Sequence, residues 1–307
     1  MLSGHSEQYE KFALLMIGDF MSLSQFTVRT PQVEYALGHS SRELDRLAFQ
    51  GSVFAPFTLQ LFTQAGIKPG MRVLDVGSGS GDVSFLVADL VGKDGHVLGV
   101  DRSAEAVERA RARAIRRNYS NVSFALGDPS AMPFDQPFDA IVGRFVLMYQ
   151  DDPVWSLREI TKHLRANGLV VFQELDSSTC RSCPAVPVFE EAARWLREAL
   201  RGSGARPDLG LEMHSLFLDS GLPAPSMRMD ALVSGATESP VYGLFAEAVR
   251  SLVPTLQKLN IASPAHVQID SLADRIRNEV VARRAVVVSY GLVGAWARKL
   301  VAVDVGS

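Results

Sequence analysis

Three glycines and four aspartates give this 307-residue chain its clearest chemistry. Gly77, Gly79 and Gly81 alternate through "VLDVGSGSGDVSF", with Asp75 two positions before the first and Asp82 directly after the last. A glycine loop between an apolar strand and a helix lets a ligand come close to the backbone, against the helix N-terminus. Asp101 closes the next apolar run in "HVLGVD", where a carboxylate can accept both hydroxyls of a ribose. Asp128 closes the third, in "ALGDPSAMPF", where an acid can meet the exocyclic amine of an adenine. Loop and acids together describe a site for an adenine nucleoside.

The loop does not follow the dinucleotide rule. That rule is G-x-G-x-x-G, its last glycine letting the helix pack closely on the strand. Here the third-glycine position of that rule is Asp82. A carboxylate there suits the helix dipole but competes with a bound phosphate for it. Asp75 adds a second acid, which favours a ligand carrying an ammonium group, such as the amino-acid end of S-adenosylmethionine. Asp101 serves either cofactor.

The elements that must position these groups can be read from the apolar pattern. Strands are expected at 71–77, 96–101, 122–128, within 138–147 and at 169–176. Helices are expected at 82–92, 103–118 and 153–168, the second capped by Ser103 with Glu105 in its first turn and the third closed by Asn167-Gly168. Near-continuous Val/Leu/Ile strands alternating with helices predict a doubly wound α/β fold on a parallel sheet. Helical patterns fill the N-terminal segment, notably 40–66. Later ones are at 186–202, 209–220, 239–259 and 268–282, with a strand at 226–235 and a final apolar run at 285–297. The expected organisation is an N-terminal helical segment and lid (1–65), a cofactor-binding core (66–235), a helical insertion and lid (236–282) and the last core strand (283–307). Helices at those places could roof a cleft at the carboxyl ends of the strands.

Composition narrows the function classes. With 47% hydrophobic residues and net charge −3, the chain suits one good-sized domain with additions, or two small domains. No dense basic run invites nucleic acid, and "RARAIRR" (111–117) reads as the solvated face of a surface helix. Cys180 and Cys183 form a lone CxxC that lacks the two further ligands of a zinc site, so no metal is expected. The N-terminus lacks a basic leader, and the longest apolar run is too short to span a bilayer. The expected setting is a reducing cytoplasm, without a membrane.

These motifs, in this order, resemble the class I S-adenosylmethionine-dependent methyltransferases: "VLDVGSGSGDVSF", "GVDRS", "ALGDPSAMPF", "FDAIVGRFVLMYQDDPV" and "LRANGLVVFQELD". The lead-in "RELDRLAFQGSVFAPFTLQLFTQAGIKPGMRV" and "GLVGAWARK" are similar to the ubiquinone-biosynthesis-like and natural-product branch. The resemblance implies a Rossmann-like seven-stranded sheet whose last strand, near 292–300, is antiparallel. It implies S-adenosyl-L-methionine as cofactor and S-adenosyl-L-homocysteine as product. It would set Asp75, Gly77, Ser78 and Gly79 against the methionine portion, Asp101 and Arg102 at the ribose and adenine, and Asp128 and Pro129 at the adenine. Arg144 and the residues after it would line the methyl-donor end, and Arg46 and Gln50 would close over the cofactor.

Methyl transfer from a sulfonium is an in-line displacement, and a base helps only where the nucleophile loses a proton. Tyr149, Glu174, Asp176 and His214 are the candidates near the strand ends and roof. Glu174 and Asp176 suit a structural role equally, and His214 sits at helical spacing with Leu211 and Leu218. No nucleophilic triad stands out. Apolar stretches at 238–262 and 12–26 could line a pocket for a small, partly hydrophobic acceptor at O, N or C, form a homodimer interface or pack on the core. A nicotinamide-dependent oxidoreductase, or a protein that binds S-adenosylmethionine without methyl transfer, stays open on sequence.

Overall fold

Short runs of Val, Leu and Ile, each followed by an amphipathic helix, build the centre of the molecule. The computed structural model describes residues 41–300. The apolar stretch 12–26 and the rest of residues 1–40 therefore lie outside the described residues. Helix α1 (Ser41–Ala65) leads into β1 (Arg72–Val76), α2 (Asp82–Val91), β2 (His96–Asp101), α3 (Ala104–Arg116), β3 (Val122–Leu126) and β4 (Phe138–Arg144). Helix α4 (Pro153–Thr161) and strand β5 (Leu164–Asp176) complete the parallel part. Ser103 caps α3 as expected, its Oγ accepting from Ala106 N–H at 3.2 Å.

Among the described residues the main sheet has seven strands in the order β3-β2-β1-β4-β5-β10-β7. Strand β10 (Gly291–Arg298) runs antiparallel between β5 and β7 (Ser226–Asp230). The implied antiparallel strand is therefore present, inserted second from the edge. The register aligns Asp75 with Gly99 and with Val142, so β1, β2 and β4 end at one edge. Two apolar layers flank the sheet. On α1, Phe54, Thr58, Leu61, Phe62 and Ala65 are buried at helical spacing.

Helices α5 (Pro187–Gly202), α6 (Leu209–Asp219), α7 (Pro240–Lys258), the single turn α8 (Pro264–Val267) and α9 (Leu272–Ala282) follow β5 and β7. On α5, Phe189, Ala192, Leu196, Ala199 and Leu200 form one buried stripe, which packs on α7. No helix among the described residues is long and apolar enough to cross a membrane.

Four expectations change. Helix α4 stops at Thr161, and Asn167-Gly168 lies within β5, with Asn167 at φ 60° beside a register shift between Phe138 and Ala140. An Asn-Gly pair signals a left-handed residue, which a helix end and a kinked strand both use. The strand expected over 226–235 is two strands, β7 and β8 (Val233–Ser234), in different sheets. Strand β8 joins β6 (Arg181–Cys183) and β9 (Val286–Val288) in a small sheet of order β6-β9-β8. The last expected helix begins at Leu272, after Gln268 turns the chain at φ 46°.

Candidate functional site

The strand ends open on a cavity of about 440 Å³, within the range of small-molecule sites. Its floor is the glycine loop. Gly77 has φ 64°, and a Cβ there would meet Val146 Cγ2 at 2.7 Å. Gly79 has φ 52° and nothing within 4 Å of where a Cβ would point. The first glycine fits protein against protein; the second leaves room for a ligand. Ser78 is 6% exposed, lines the cavity, and its Oγ lacks a hydrogen-bond partner among the described residues.

Asp101 and Asp128 occupy the wall over β2 and β3. Asp101 accepts from Gly79 N–H (2.8 Å) on one oxygen and from Ser103 N–H (2.8 Å) on the other. It thereby ties the β1–α2 turn to the start of α3, with lone pairs to spare for a diol. Asp128 accepts from Arg102 Nη2 at 2.7 Å and from Ser130 N–H at 2.9 Å. Arg102 also reaches Gln150 at 3.4 Å, and Pro129 lines the same wall. The donor set is one for a nucleoside.

Asp75 lies beneath this floor. It is 1% exposed, does not line the cavity, and accepts from Ser84 Oγ at 2.5 Å while its other oxygen has no partner among the described residues. Burial lifts its carboxyl to about 7, against the lowering by Ser84 and Arg144. Asp82 lines the cavity, but it is bonded to Arg113 Nη2 at 2.7 Å. Arg113 also donates to the Ser80 carbonyl at 2.6 Å and to Ser80 Oγ at 2.9 Å. This arginine is 8% exposed, which corrects the reading of 111–117 as a wholly solvated face. Asp82 is thus a paired acid, and its charge alone does not choose between an ammonium and a phosphate.

The other predicted residues divide. Arg46 and Gln50 line the cavity from α1, Arg46 Nη1 donating to Gln50 Oε1 at 2.6 Å. Arg144, Tyr149 and the residues between them line it from the end of β4. Burial pushes Arg144 down, while Asp82, Asp75 and Tyr290 act the other way. Glu174 is fully buried and stays behind the wall. Its carboxylate accepts from the amides of Val146 (2.9 Å), Leu147 (2.8 Å) and Met148 (3.4 Å), which fixes the loop after β4. Asp176 is buried and accepts from Ser178 N–H at 2.8 Å. His214 is exposed on α6, on one face with Leu211 and Leu218, and the structure does not bring it to the cavity.

Several wall residues carried no signal in the sequence. Leu196 and Leu200 come from α5, Ala248 from α7, and Tyr290 from the turn before β10. Thr58 holds Arg144 from α1: Arg144 Nη1 donates to Thr58 Oγ1 at 3.0 Å, and that hydroxyl lies 2.7 Å from Gln173 Oε1.

Comparisons with known proteins bear on the fold and the family. A family model described as a methyltransferase domain matches residues 67–203. The chain is similar to an aklanonic acid methyltransferase of Streptomyces sp. (strain C5), 32% identical over 142 residues, covering 46% of this chain and 64% of that one. It is also similar to a demethylmenaquinone methyltransferase of Staphylococcus aureus (strain MRSA252), 32% identical over 127 residues, covering 41% and 49%. The chain spans less than two thirds of the length of these relatives. Among solved structures, a Haemonchus contortus phosphoethanolamine N-methyltransferase in complex with S-adenosylhomocysteine shares the fold, with TM-score 0.51, 16% identity, and coverage of 80% of this chain and 53% of that one.

Proposed function

We propose, from the premise that residues 67–203 form a class I S-adenosylmethionine-dependent methyltransferase domain, that the protein methylates a small, partly hydrophobic molecule by in-line displacement. One observation carries this reading. A single cavity joins a nucleoside wall of Asp101 and Asp128 to an apolar wall of Leu175, Leu196, Leu200 and Ala248. The nicotinamide reading is set aside, because the core matches a methyltransferase model.

The residues present suit the cofactor. Gly79 leaves the space for close approach, Ser78 Oγ has an unused hydrogen bond, and Asp101 has spare acceptor capacity for ribose hydroxyls. Asp128 and Pro129 would face the adenine, with Arg102 beside them, while Arg46 and Gln50 would meet the charged amino-acid end. When bound, S-adenosylmethionine supplies an electrophilic methyl carbon on sulfur, and S-adenosylhomocysteine is the product. The chain's own work is to hold the acceptor's nucleophilic atom within about 3–3.5 Å of that carbon and in line with the sulfur. Helices α1, α5 and α7 act as the lid that keeps water out. Of the expected candidates Tyr149, Glu174, Asp176 and His214, Tyr149 alone lines the cavity. The setting is the cytoplasm, where Cys180 and Cys183 stay as free thiols.

Calorimetry with S-adenosylhomocysteine and NAD, followed by radiolabelled methyl transfer into a metabolite extract, tests the reading. Binding of NAD in place of S-adenosylhomocysteine would overturn it, and binding without label transfer would leave a protein that holds the cofactor without methylating. Asp101→Ala should weaken S-adenosylhomocysteine by about 1.5–3 kcal/mol, roughly ten- to a hundredfold, through loss of charge-assisted hydrogen bonds. An unchanged affinity would contradict the ribose contact.

A further inference from the structure

Strand order sorts the cavity wall by chemistry. Adjacent strands are about 4.8 Å apart. Crossing the edge from β3 to β10, the groups met are Asp128, Asp101, the glycine loop, Arg144, Leu175 and Tyr290. Asp128 and Asp101 lie at one end. Arg144 and Tyr290 lie at the other, on the far side of the glycine loop from the nucleoside wall.

Both groups have hydrogen bonds to give. Among the described residues Arg144 makes one, to Thr58 Oγ1, out of the five its guanidinium can donate. The carboxylate that acts on it most strongly, Asp82, is already bonded to Arg113. The Tyr290 hydroxyl has no protein partner among the described residues, and burial pushes its ionisation upward, so it stays a donor. Aromatic packing fixes the pair. Phe54 sits edge-on to Tyr290 (5.6 Å) and to Phe145 (6.1 Å), and the Arg144 guanidinium lies 6.0 Å from the Phe145 ring centre. Beside them stand Leu175, Leu196, Leu200 and Ala248. No histidine, glutamate, lysine or cysteine lines the cavity among the described residues.

We infer that the methyl acceptor is a small apolar carboxylic acid whose carboxylate is bound by Arg144 and Tyr290, its body lying against the apolar wall. The inference rests on the methyltransferase reading above. The planar guanidinium fork matches a carboxylate with two parallel hydrogen bonds, and the tyrosine hydroxyl supplies a third. Thr58, backed by Gln173, is a positioning residue that sets the angle of the fork. The donor's own carboxylate is the rival occupant. Arg46, on α1 beside Gln50, also acts on Tyr290, so the loss measured for S-adenosylhomocysteine is what separates the two occupants.

The test is a calorimetric titration of cinnamate and its neutral isostere cinnamamide into protein saturated with S-adenosylhomocysteine. Cinnamate should bind about tenfold tighter or more, as charge-assisted hydrogen bonds require. Arg144→Gln should abolish that preference, with a fold-loss for cinnamate larger than the fold-loss for S-adenosylhomocysteine. Tyr290→Phe should reduce it, and Arg144→Lys, which keeps the charge without the fork, should retain part of it. Thr58→Val should lower cinnamate affinity and leave cinnamamide unchanged, with Thr58→Ser restoring the wild-type value. Melting temperatures of all variants identify any that fail to fold, and Tyr290→Phe and Thr58→Val keep the test open if Arg144→Gln does. No preference in the wild type, a preference that survives in folded Arg144→Gln, or equal losses for cinnamate and S-adenosylhomocysteine would each overturn the proposal. Failure of the wild type to bind S-adenosylhomocysteine at all would instead overturn the methyltransferase reading, and this inference with it.

Discussion

Replacing Arg113 with methionine is expected to lower the unfolding free energy by about 3–5 kcal/mol, the range for removing one partner of a buried ion pair. Methionine keeps the apolar stem packed but removes every hydrogen bond the guanidinium makes. Asp82 then loses its 2.7 Å partner, and the Ser80 carbonyl loses its 2.6 Å donor. Both sit in the turn that begins α2, so the damage extends to the cofactor floor. S-adenosylhomocysteine affinity should fall in folded Arg113→Met, because Ser80, the loop residue directly after Gly79, loses the donor that fixes its carbonyl. Replacing both partners, as Asp82→Asn with Arg113→Met, should recover part of the stability, since no unpaired charge is left buried. Urea unfolding of the four proteins measures the coupling. Additive losses would show that the pair does not act as a unit.

Glu174→Ala should cost about 3 kcal/mol or more, because three enclosed amides lose their acceptor at about 1–3 kcal/mol for each unsatisfied group. The affected segment, Val146–Met148, is the wall of the cavity, so methyl transfer should fall even though Glu174 does not line it. A pH signature separates this role from simple packing. Burial lifts Glu174 to about 7, against the lowering by those three amides. Its folded value therefore lies above its unfolded one, and the folded chain holds the proton more tightly. The stabilisation from that proton is complete below the unfolded value and is lost as pH rises toward about 7. Asp75, also lifted to about 7, acts in the same sense. The stability of the wild type relative to Glu174→Gln should thus decline between about pH 5 and pH 7. A difference that is flat or rises with pH would contradict a carboxyl held in its protonated form.

The sequence was most legible where one local rule decided the structure. The strands around Asp75, Asp101, Asp128 and Arg144 are continuous apolar runs, and their order produces the sheet without knowledge of distant contacts. The glycine loop was legible for a similar reason, since positive φ leaves few residue types to choose from. The small sheet of β6, β8 and β9 was not, because strands of two or three residues carry no period. Side-chain roles failed where burial depends on tertiary contact. Arg113 has the same helical context as its exposed neighbours Arg111 and Arg116 but faces the loop. Glu174 ends a strand as Asp101 does, yet its acceptor capacity is taken up by backbone amides. Tyr290 lies far along the chain from the motifs, and only the antiparallel insertion of β10 brings it to the cavity.

That insertion also imposes an order on biosynthesis. Strand β5 finds its second neighbour only in β10, and helices α5 to α9 lie between them in the chain. While a ribosome is making those helices, the Val/Phe-rich "LVVFQELD" has one row of backbone groups uncovered, beside a partner strand not yet synthesised. Such an edge recruits strands from other molecules. Nascent chains that have passed Asp176 but not reached Gly291 are therefore the species most in need of a chaperone, and they lack Tyr290 from the wall of the cavity.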